Sequence, residues 1–390
     1  MNRNRVNKKR MGGARVLSRA AAGMLAAALC FQPMTALAGP AGDSSLTSSS
    51  SNAGPGGGSV SSNSGSTGSS GGSTSVSNGG VSAVTSGLGV YRVTENEGIG
   101  AIARGVDVSY WQQNVNWSQV ASDNVQFAML ATRFRGNVDP FFAMNAANAS
   151  QAGLRLGAYI YSYATSVEMA QQEADFVLNL IKDYPISFPV VFDAEDANTL
   201  GTLTQSQVSD VINAFCKRIQ DAGYYPMVYA NEYWIANKID MSKISYDIWV
   251  AKYQQKYTYS KTSMWQASNT GSVKGVNGNV DIDYLYKDYT QIIPGNTWRT
   301  IAGNRYYYQN HVMQKSAWIN DGQNWYYMNA AGNPSTGWLE LSGKKYYLEA
   351  DGHMITGWKT LDGGWRYFDA SGEQATGWRA VDGSWYFMAD

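Results

Sequence analysis

The chain reads as an α/β protein: an irregular (β/α) barrel followed by a C-terminal solenoid of β-hairpins. Two observations predict this. Eight short runs rich in β-branched and aromatic residues lie between residues 104 and 288, and helical patterns separate the early ones. That alternation implies a parallel sheet with right-handed crossovers. From Trp298 onward the period becomes a strict 20 residues, through Trp318, Trp338, Trp358 and Trp378. A fixed short period means stacked units, none of which buries its apolar face alone.

The chain in front of the barrel is of a different kind. Residues 1–38 hold seven Lys/Arg and no acid, an apolar run Ala20–Phe31, and Ala36-Leu37-Ala38. This is the order of a secretory signal with an A-x-A cleavage site. The run of 12 is short of the roughly 20 apolar residues a bilayer span needs. Cleavage after Ala38 and export are expected, with no membrane attachment afterwards. Residues 39–90 are mostly Ser and Gly, and are expected to be a disordered linker, because they hold too little apolar surface to offset chain entropy. Beyond residue 38 there are 23 Lys/Arg against 30 Asp/Glu, a net of −7. An acidic body argues against a nucleic-acid partner.

The barrel domain is placed at residues 104–288. Its strands are expected at 104–109, 125–132, 154–163, 188–195, 226–231, 246–253, 263–268 and 280–286. Helices are expected at 141–152, 167–181 and 204–222, the last capped by Thr204 and stopped by Gly223. The short connections after the fifth strand predict reduced or missing late helices. Eight strands in 185 residues is compact for a class that typically takes about 250. Cys216 falls on the apolar stripe of the third helix and is expected in the core.

Chemistry in this region must rest on carboxylates. The two histidines are His311 and His353, so the barrel has neither a Ser-His-Asp set nor an H-E-x-x-H zinc motif. No metal or cofactor is expected. In such barrels the site lies at the C-terminal strand ends. Asp107 belongs to the first strand, Asp193 and Glu195 to the fourth, and Asp281 to the eighth. First and eighth strands adjoin in a closed barrel, so these acids converge. Asp193 and Glu195 share a strand face, and neighbouring carboxylates push their pKa values apart into an acid and a base. Taken alone, FPVVFDAED (188–196) also fits an ordinary strand end with solvated acids. Tyr161, Tyr163, Tyr229, Trp249 and Trp265 accompany the acids as candidate sugar platforms, with core packing the alternative for each.

The segments GVDVSYWQ (105–112), GAYIYSYA (157–164), FDAE (192–195), MVYAN (227–231), IWVAKY (248–253), MWQ (264–266) and GNVDID (278–283) together resemble glycoside hydrolase family 25, the Chalaropsis-type lysozymes. The resemblance implies N-acetylmuramidase activity on peptidoglycan glycan strands. It implies that Glu195 is the catalytic acid, that Asp193 is the first acid of the D-x-E motif, and that Asp107 and Asp281 flank them. It also implies that Tyr229 lines the cleft and that Gln266 belongs to the site. Two departures stand out: Ile160 replaces a frequent histidine, and Arg133 stands two residues beyond a frequent Lys or Arg position.

Spacing bears on mechanism. Residues i and i+2 of a strand lie roughly 6.5–7 Å apart on one side. An inverting pair places its base across the sugar, about 6.5–9.5 Å from the acid. Asp193 is poorly placed for that. The expectation is that Glu195 protonates the glycosidic oxygen while Asp193 orients the substrate's own acetamide, with retention. Asp281 or Asp107 as nucleophile or base is the alternative.

The repeat domain is placed at residues 298–390. Aromatic clusters follow each repeating Trp, as in Trp325-Tyr326-Tyr327, Trp365 with Tyr367, and Trp385-Tyr386-Phe387. They resemble choline-binding repeats, and related repeats of clostridial toxins and glucan-binding transferases. The choline type implies aromatic cages that hold a quaternary ammonium by cation–π attraction. Trp338, Trp358, Trp365, Trp378 and Trp385 are the candidate members. Arg305, Lys345 and Arg366 interrupt the aromatic clusters. The expected partner is choline-substituted teichoic acid or another wall polymer such as a glucan, with purely structural stacking the remaining alternative. The whole reads as a secreted, wall-associated lysozyme. The rival readings are a hydrolase of another N-acetylhexosamine polymer such as chitin, and an inert wall-binding adhesin.

Overall fold

The computed structural model describes residues 75–78, 81–93, 98–253 and 255–388. The expected signal segment and the linker up to residue 74 lie outside the described residues. The end of the expected linker is corrected. Strands β1 (Ser75–Asn78), β2 (Val81–Ser86) and β3 (Gly89–Val93) form an antiparallel sheet. From Val81 onward the Ser/Gly background gains Val81, Val84, Val90, Tyr91 and Val93, and Gly87-Leu88 makes a two-residue turn. Tyr91 is buried, and Leu88 packs on the apolar cluster inside the barrel.

Eight strands close the barrel. In chain order they are β4 (Ala103–Val108), β5 (Phe127–Ala131), β8 (Arg155–Tyr161), β9 (Ile186–Asp193), β10 (Pro226–Asn231), β11 (Asp247–Ala251), β12 (Thr262–Gly271) and β13 (Val280–Leu285). A small hairpin, β6 (Arg133–Phe134) with β7 (Asn137–Val138), stands at the rim after β5. The helices are α1 (Trp117–Ser122), α2 (Phe142–Gln151), α3 (Val167–Ile181), α4 (Gln205–Asp221) and the short α5 (Glu232–Asn237). α3 begins at Ser166, whose side chain accepts from the Met169 N–H, and α4 at a Thr204–Gln207 capping box. Cys216 is fully buried on α4.

The barrel departs from the regular form at its last strand. β13 runs antiparallel to both β12 and β4. Residues 272–279 are all that connect β12 to β13, whereas a parallel return needs a dozen or more residues. Asp281 is therefore near the start of its strand, not its end. Because the strand is reversed, that start lies at the mouth, and Asp281 sits directly opposite Asp107 in the register.

Strand alternation sorts the side chains into two layers. Phe127, Met129, Val191, Met227, Tyr229, Trp249, Met264 and Leu285 fill the interior, joined by Phe188, which alternation alone would turn outward but which stands where the β8–β9 register shifts. Val106, Ala128, Leu130, Ile160, Val190, Phe192, Val228, Val250 and Trp265 face the surrounding helices and loops. Gly105 and Gly157 make room for the large neighbours on β5: a Cβ would lie 2.2 Å from the Phe127 ring or 2.4 Å from Met129 Sδ.

The repeats are hairpins, as expected: β14 (Thr297–Ile301) with β15 (Asn304–Gln309) and β16 (Val312–Met313), then β17 (Ala317–Asn320) with β18 (Trp325–Met328), β19 (Gly337–Leu341) with β20 (Lys344–Leu348), β21 (Gly357–Leu361) with β22 (Gly364–Phe368), and β23 (Gly377–Val381) with β24 (Ser384–Met388). Ser342-Gly343, Asp362-Gly363 and Asp382-Gly383 turn with both φ values positive, the type I′ geometry that suits strand twist. The first hairpin docks on the barrel through Arg299, whose guanidinium lies 3.9 Å from the Tyr224 ring centroid and 4.2 Å from that of Tyr308. Among the described residues no helix is long and apolar enough to cross a membrane.

Candidate active site

The inward faces of the strands deliver side chains to one mouth. Asp107 comes from β4, Tyr159 and Tyr161 from β8, Asp193 from β9, Tyr229 from β10, Trp249 from β11, Gln266 from β12 and Asp281 from β13. Glu195 lies two residues past the end of β9. With Arg133, Tyr163 and Tyr253, these residues line a cleft of about 510 Å³.

Its polar groups are organised around Gln266. The Tyr229 and Tyr253 hydroxyls both donate to Gln266 Oε1 at 2.8 Å. That fixes the amide so that Nε2 donates to Asp107 Oδ2 at 2.7 Å. Asp281 faces Asp107 directly across the β4–β13 register, so the two carboxyl groups crowd one another. Burial, then Asp281 and Asp283, push the Asp107 carboxyl well above the ordinary range. Burial also raises Asp281, and raises Asp283 well up although Trp249 Nε1 donates to it at 3.0 Å.

The D-x-E pair has its own balance. Asp193 is raised well above the ordinary range by burial and then by Glu195. Glu195 is raised by burial, then by the charges of Asp281 and Asp196. Asp193 Oδ1 is buried and has no hydrogen-bond partner among the described residues. Such an acceptor is costly unless a donor reaches it.

The aromatic candidates separate by layer. Tyr161 and Tyr163 stand 5.2 Å apart on one wall, with the Arg133 guanidinium 4.8 Å from the Tyr163 centroid. Arg133 is held by Glu173 at 2.6 Å. Trp249 forms the floor at only 1 % exposure. Trp265 is corrected: it points outward between Tyr257 and Tyr284, with Nε1 donating to the Lys252 carbonyl. The residue between two inward positions on a strand must face the other way. Ile160 is outward for the same reason, so the expected histidine position does not reach the mouth.

The sequence reading missed several lining residues. Tyr159 and Tyr253 lie two residues along the strand from Tyr161 and from Ala251, so the alternation already pointed to them. Asp283, two residues from Asp281 on the same strand face, does not line the cleft but is fully buried, accepting from Trp249 Nε1. Trp111 stands on a 3-10 turn, and Phe134 and Arg135 on the short rim hairpin, so none carries such a signal. Trp111 is 67 % exposed and meets Phe134 edge-on at 5.7 Å, forming an aromatic rim. A second lobe, lined by Asn231, Glu232, Tyr233 and Lys252, shares Glu195, Tyr229 and Tyr253 with the first.

In the repeats, Trp338, Trp358, Trp365, Trp378 and Trp385 are all surface side chains. Trp358 stands 6.4 Å from Trp365 and 4.9 Å from Tyr386 of the next hairpin.

Residues 106–276 match the model of glycosyl hydrolases family 25. Uncharacterized protein YegX of Escherichia coli O157:H7 is 31 % identical over 189 residues, which span 46 % of this chain and 68 % of that protein. The chain belongs to glycosyl hydrolases family 25. Lysozyme M1 of Streptomyces globisporus, similar to this family 25 chain, is 30 % identical over 46 % of this chain and 66 % of its own length. The structure of the modular pneumococcal cell wall endolysin from phage Cp-1, complexed with choline, aligns over 73 % of this chain and 86 % of that one, at 22 % identity and a TM-score of 0.39. Residues 355–389 match a choline-binding repeat, and 316–333 and 336–354 a cell wall binding repeat. The protein is thus a family 25 glycoside hydrolase that carries choline-binding repeats.

Proposed function

We propose that the protein is a secreted N-acetylmuramidase that cleaves the β-1,4 bond between N-acetylmuramic acid and N-acetylglucosamine. Residues 104–288 are the catalytic barrel and 298–390 hold it on a wall polymer. The observation that carries the reading is the position of Glu195. It lies where the two lobes of the cleft meet, so a glycan crossing the mouth has sugars on both sides of it. Its raised pKa suits a proton donor. Asp193 contributes an oxygen that wants a donor, and the acetamide N–H of the substrate supplies one. That bond favours the ionised Asp193, draws the acetamide carbonyl toward the anomeric carbon and leaves the proton on Glu195.

The substrate's carbonyl oxygen forms the bond to the anomeric carbon as the leaving sugar takes the Glu195 proton. Water then opens the cyclic intermediate, with Glu195 as base. Both steps invert, so the product retains its configuration. Asp107, held by Gln266, and Asp281 opposite it lie beneath the developing oxocarbenium ion, and the negative charge the pair carries stabilises that ion. Fresh digestion of peptidoglycan followed by proton NMR should show the β-anomer first. An α-anomer at the earliest time point would exclude this mechanism. Mass spectrometry should find muramic acid at the new reducing end, and N-acetylglucosamine there would point to another hexosamine cleavage.

A further inference from the structure

The hairpins repeat in register, so their junctions can be compared residue by residue. Each sets against a first-strand Trp the second-strand residue that pairs two positions beyond it, and an inner residue of the next hairpin's second strand. At Trp358 these are Trp365 and Tyr386, at 6.4 and 4.9 Å. At Trp318 they are Trp325, opposite Asn320 in the register, and Tyr346 at 5.0 Å. The Trp358 junction is a three-walled aromatic cage of the kind that accepts a quaternary ammonium, and the Trp318 junction carries aromatic residues at the same three register positions. At Trp298 the chain fills its own cage, because the Arg305 guanidinium lies 4.2 Å from the indole.

The remaining junction is different. At Trp338 the two aromatic walls are replaced by Lys345 and Arg366. They line a cavity of about 370 Å³ with Trp338, Leu339, Glu340 and Gln374. Glu340 faces Lys345 directly across the hairpin and offsets part of its charge. Arg366 forms no ion pair among the described residues; its Nη1 reaches only the Trp365 carbonyl, at 3.4 Å. Gln374 is mostly buried, with its backbone N–H held by the Lys345 carbonyl at 2.8 Å. Two cations on the walls repel a quaternary ammonium. A guanidinium fork beside an amide and an indole face suits a tetrahedral oxyanion with a sugar or polyol attached.

We propose that the Trp338 junction is an anion site that takes the phosphodiester of a wall polymer, with Arg366 as the residue that decides the preference. The neighbouring cages at Trp318 and Trp358 take that polymer's cationic substituents. This rests on the wall-polymer reading above, and the test keeps the two apart.

The test follows indole N–H signals of the full chain by NMR, assigned with Trp338→Phe and Trp358→Phe. Glycerol phosphate should shift the Trp338 signal, and choline should shift that of Trp358 while leaving Trp338 in place. Lys345→Trp combined with Arg366→Tyr should exchange the two responses at Trp338. Arg366→Ala alone should weaken the glycerol phosphate response roughly tenfold, the scale of a lost charge-assisted hydrogen bond. The proposal falls if glycerol phosphate leaves Trp338 unmoved, if choline moves it in the unaltered chain, or if sulfate moves it equally, meaning an adventitious ion only. If choline fails at Trp358, the reading of the aromatic cages fails, while the Trp338 response still decides this proposal. Sedimentation settles the source. Arg366→Ala should lose retention on walls bearing teichoic acid; a loss seen only with phosphatidylglycerol vesicles would contradict a wall polymer.

Discussion

At the residue scale, the site depends on which carboxyl group holds a proton. Glu195 is raised by burial and by the charge of Asp281, and in the proposed role of general acid it must be protonated to act. Activity is therefore lost as pH rises through its pKa. Replacing Asp281 with Asn removes one of the charges that hold that pKa up. The alkaline limb of the kcat/KM profile should move to lower pH, whatever happens to the maximum rate. A limb that stays in place would show that Asp281 does not set the acidity of Glu195. A second residue-scale expectation concerns His311, which burial and then the positive charges of Arg299 and Arg155 depress to about 4 from 6.5. Its unfolded form gains a proton first, so its contribution to stability is present above about 6.5 and is lost as pH falls toward 4. Chemical denaturation of His311→Gln should show a flatter fall across that window than the unaltered chain. Identical slopes would contradict it.

At the element scale, the barrel interior is set by small residues beside large ones. A Cβ on Gly157 would meet Met129 Sδ at 2.4 Å and the Pro189 carbonyl oxygen at 2.9 Å, and the second is backbone that cannot swing aside. Gly157→Ala should destabilise by about 1–3 kcal/mol, the usual cost of overpacking. This would appear as a lower denaturant midpoint at unchanged slope. An unchanged midpoint would mean the interior has slack that the packing does not suggest.

The same alternation explains what could be read in advance. Asp107 and Asp193 are legible because they fall at strand ends, whereas Asp281, near the start of its strand, reaches the mouth only because that strand is reversed. Trp265 was misplaced because its aromatic character was weighed without its parity against Met264 and Gln266. Trp111 and Phe134 escaped because their positions depend on a rim hairpin and an irregular turn. The reversed β13 was also hidden, since strand direction follows from the length of a connection and not from the strand's composition.

At the scale of the molecule, two stacking systems meet at one cation. Arg299 is buried between Tyr224 of the barrel and Tyr308 of the first hairpin, and the Tyr308 hydroxyl donates to the Lys182 carbonyl at 2.8 Å. Lys315 adds an exposed pair with Asp183 at 2.7 Å. This contact lies near the start of β9, whereas Asp193 and the cleft are at its other end. The repeats can therefore hold a wall polymer without crossing the mouth. The hairpins also differ in charge at their junctions, so the solenoid presents a sequence of distinct surfaces and not one surface copied along its length.

The central claim is that Glu195 is the acid of a wall-degrading barrel whose repeats bind independently of catalysis. It is tested most directly by turbidity clearing of peptidoglycan with Glu195→Gln, alongside wall binding by the same protein. The expected result is a loss of about 10²–10⁴-fold in clearing, the usual worth of a positioned general acid, with wall binding unchanged. Clearing at the rate of the unaltered protein would contradict the account.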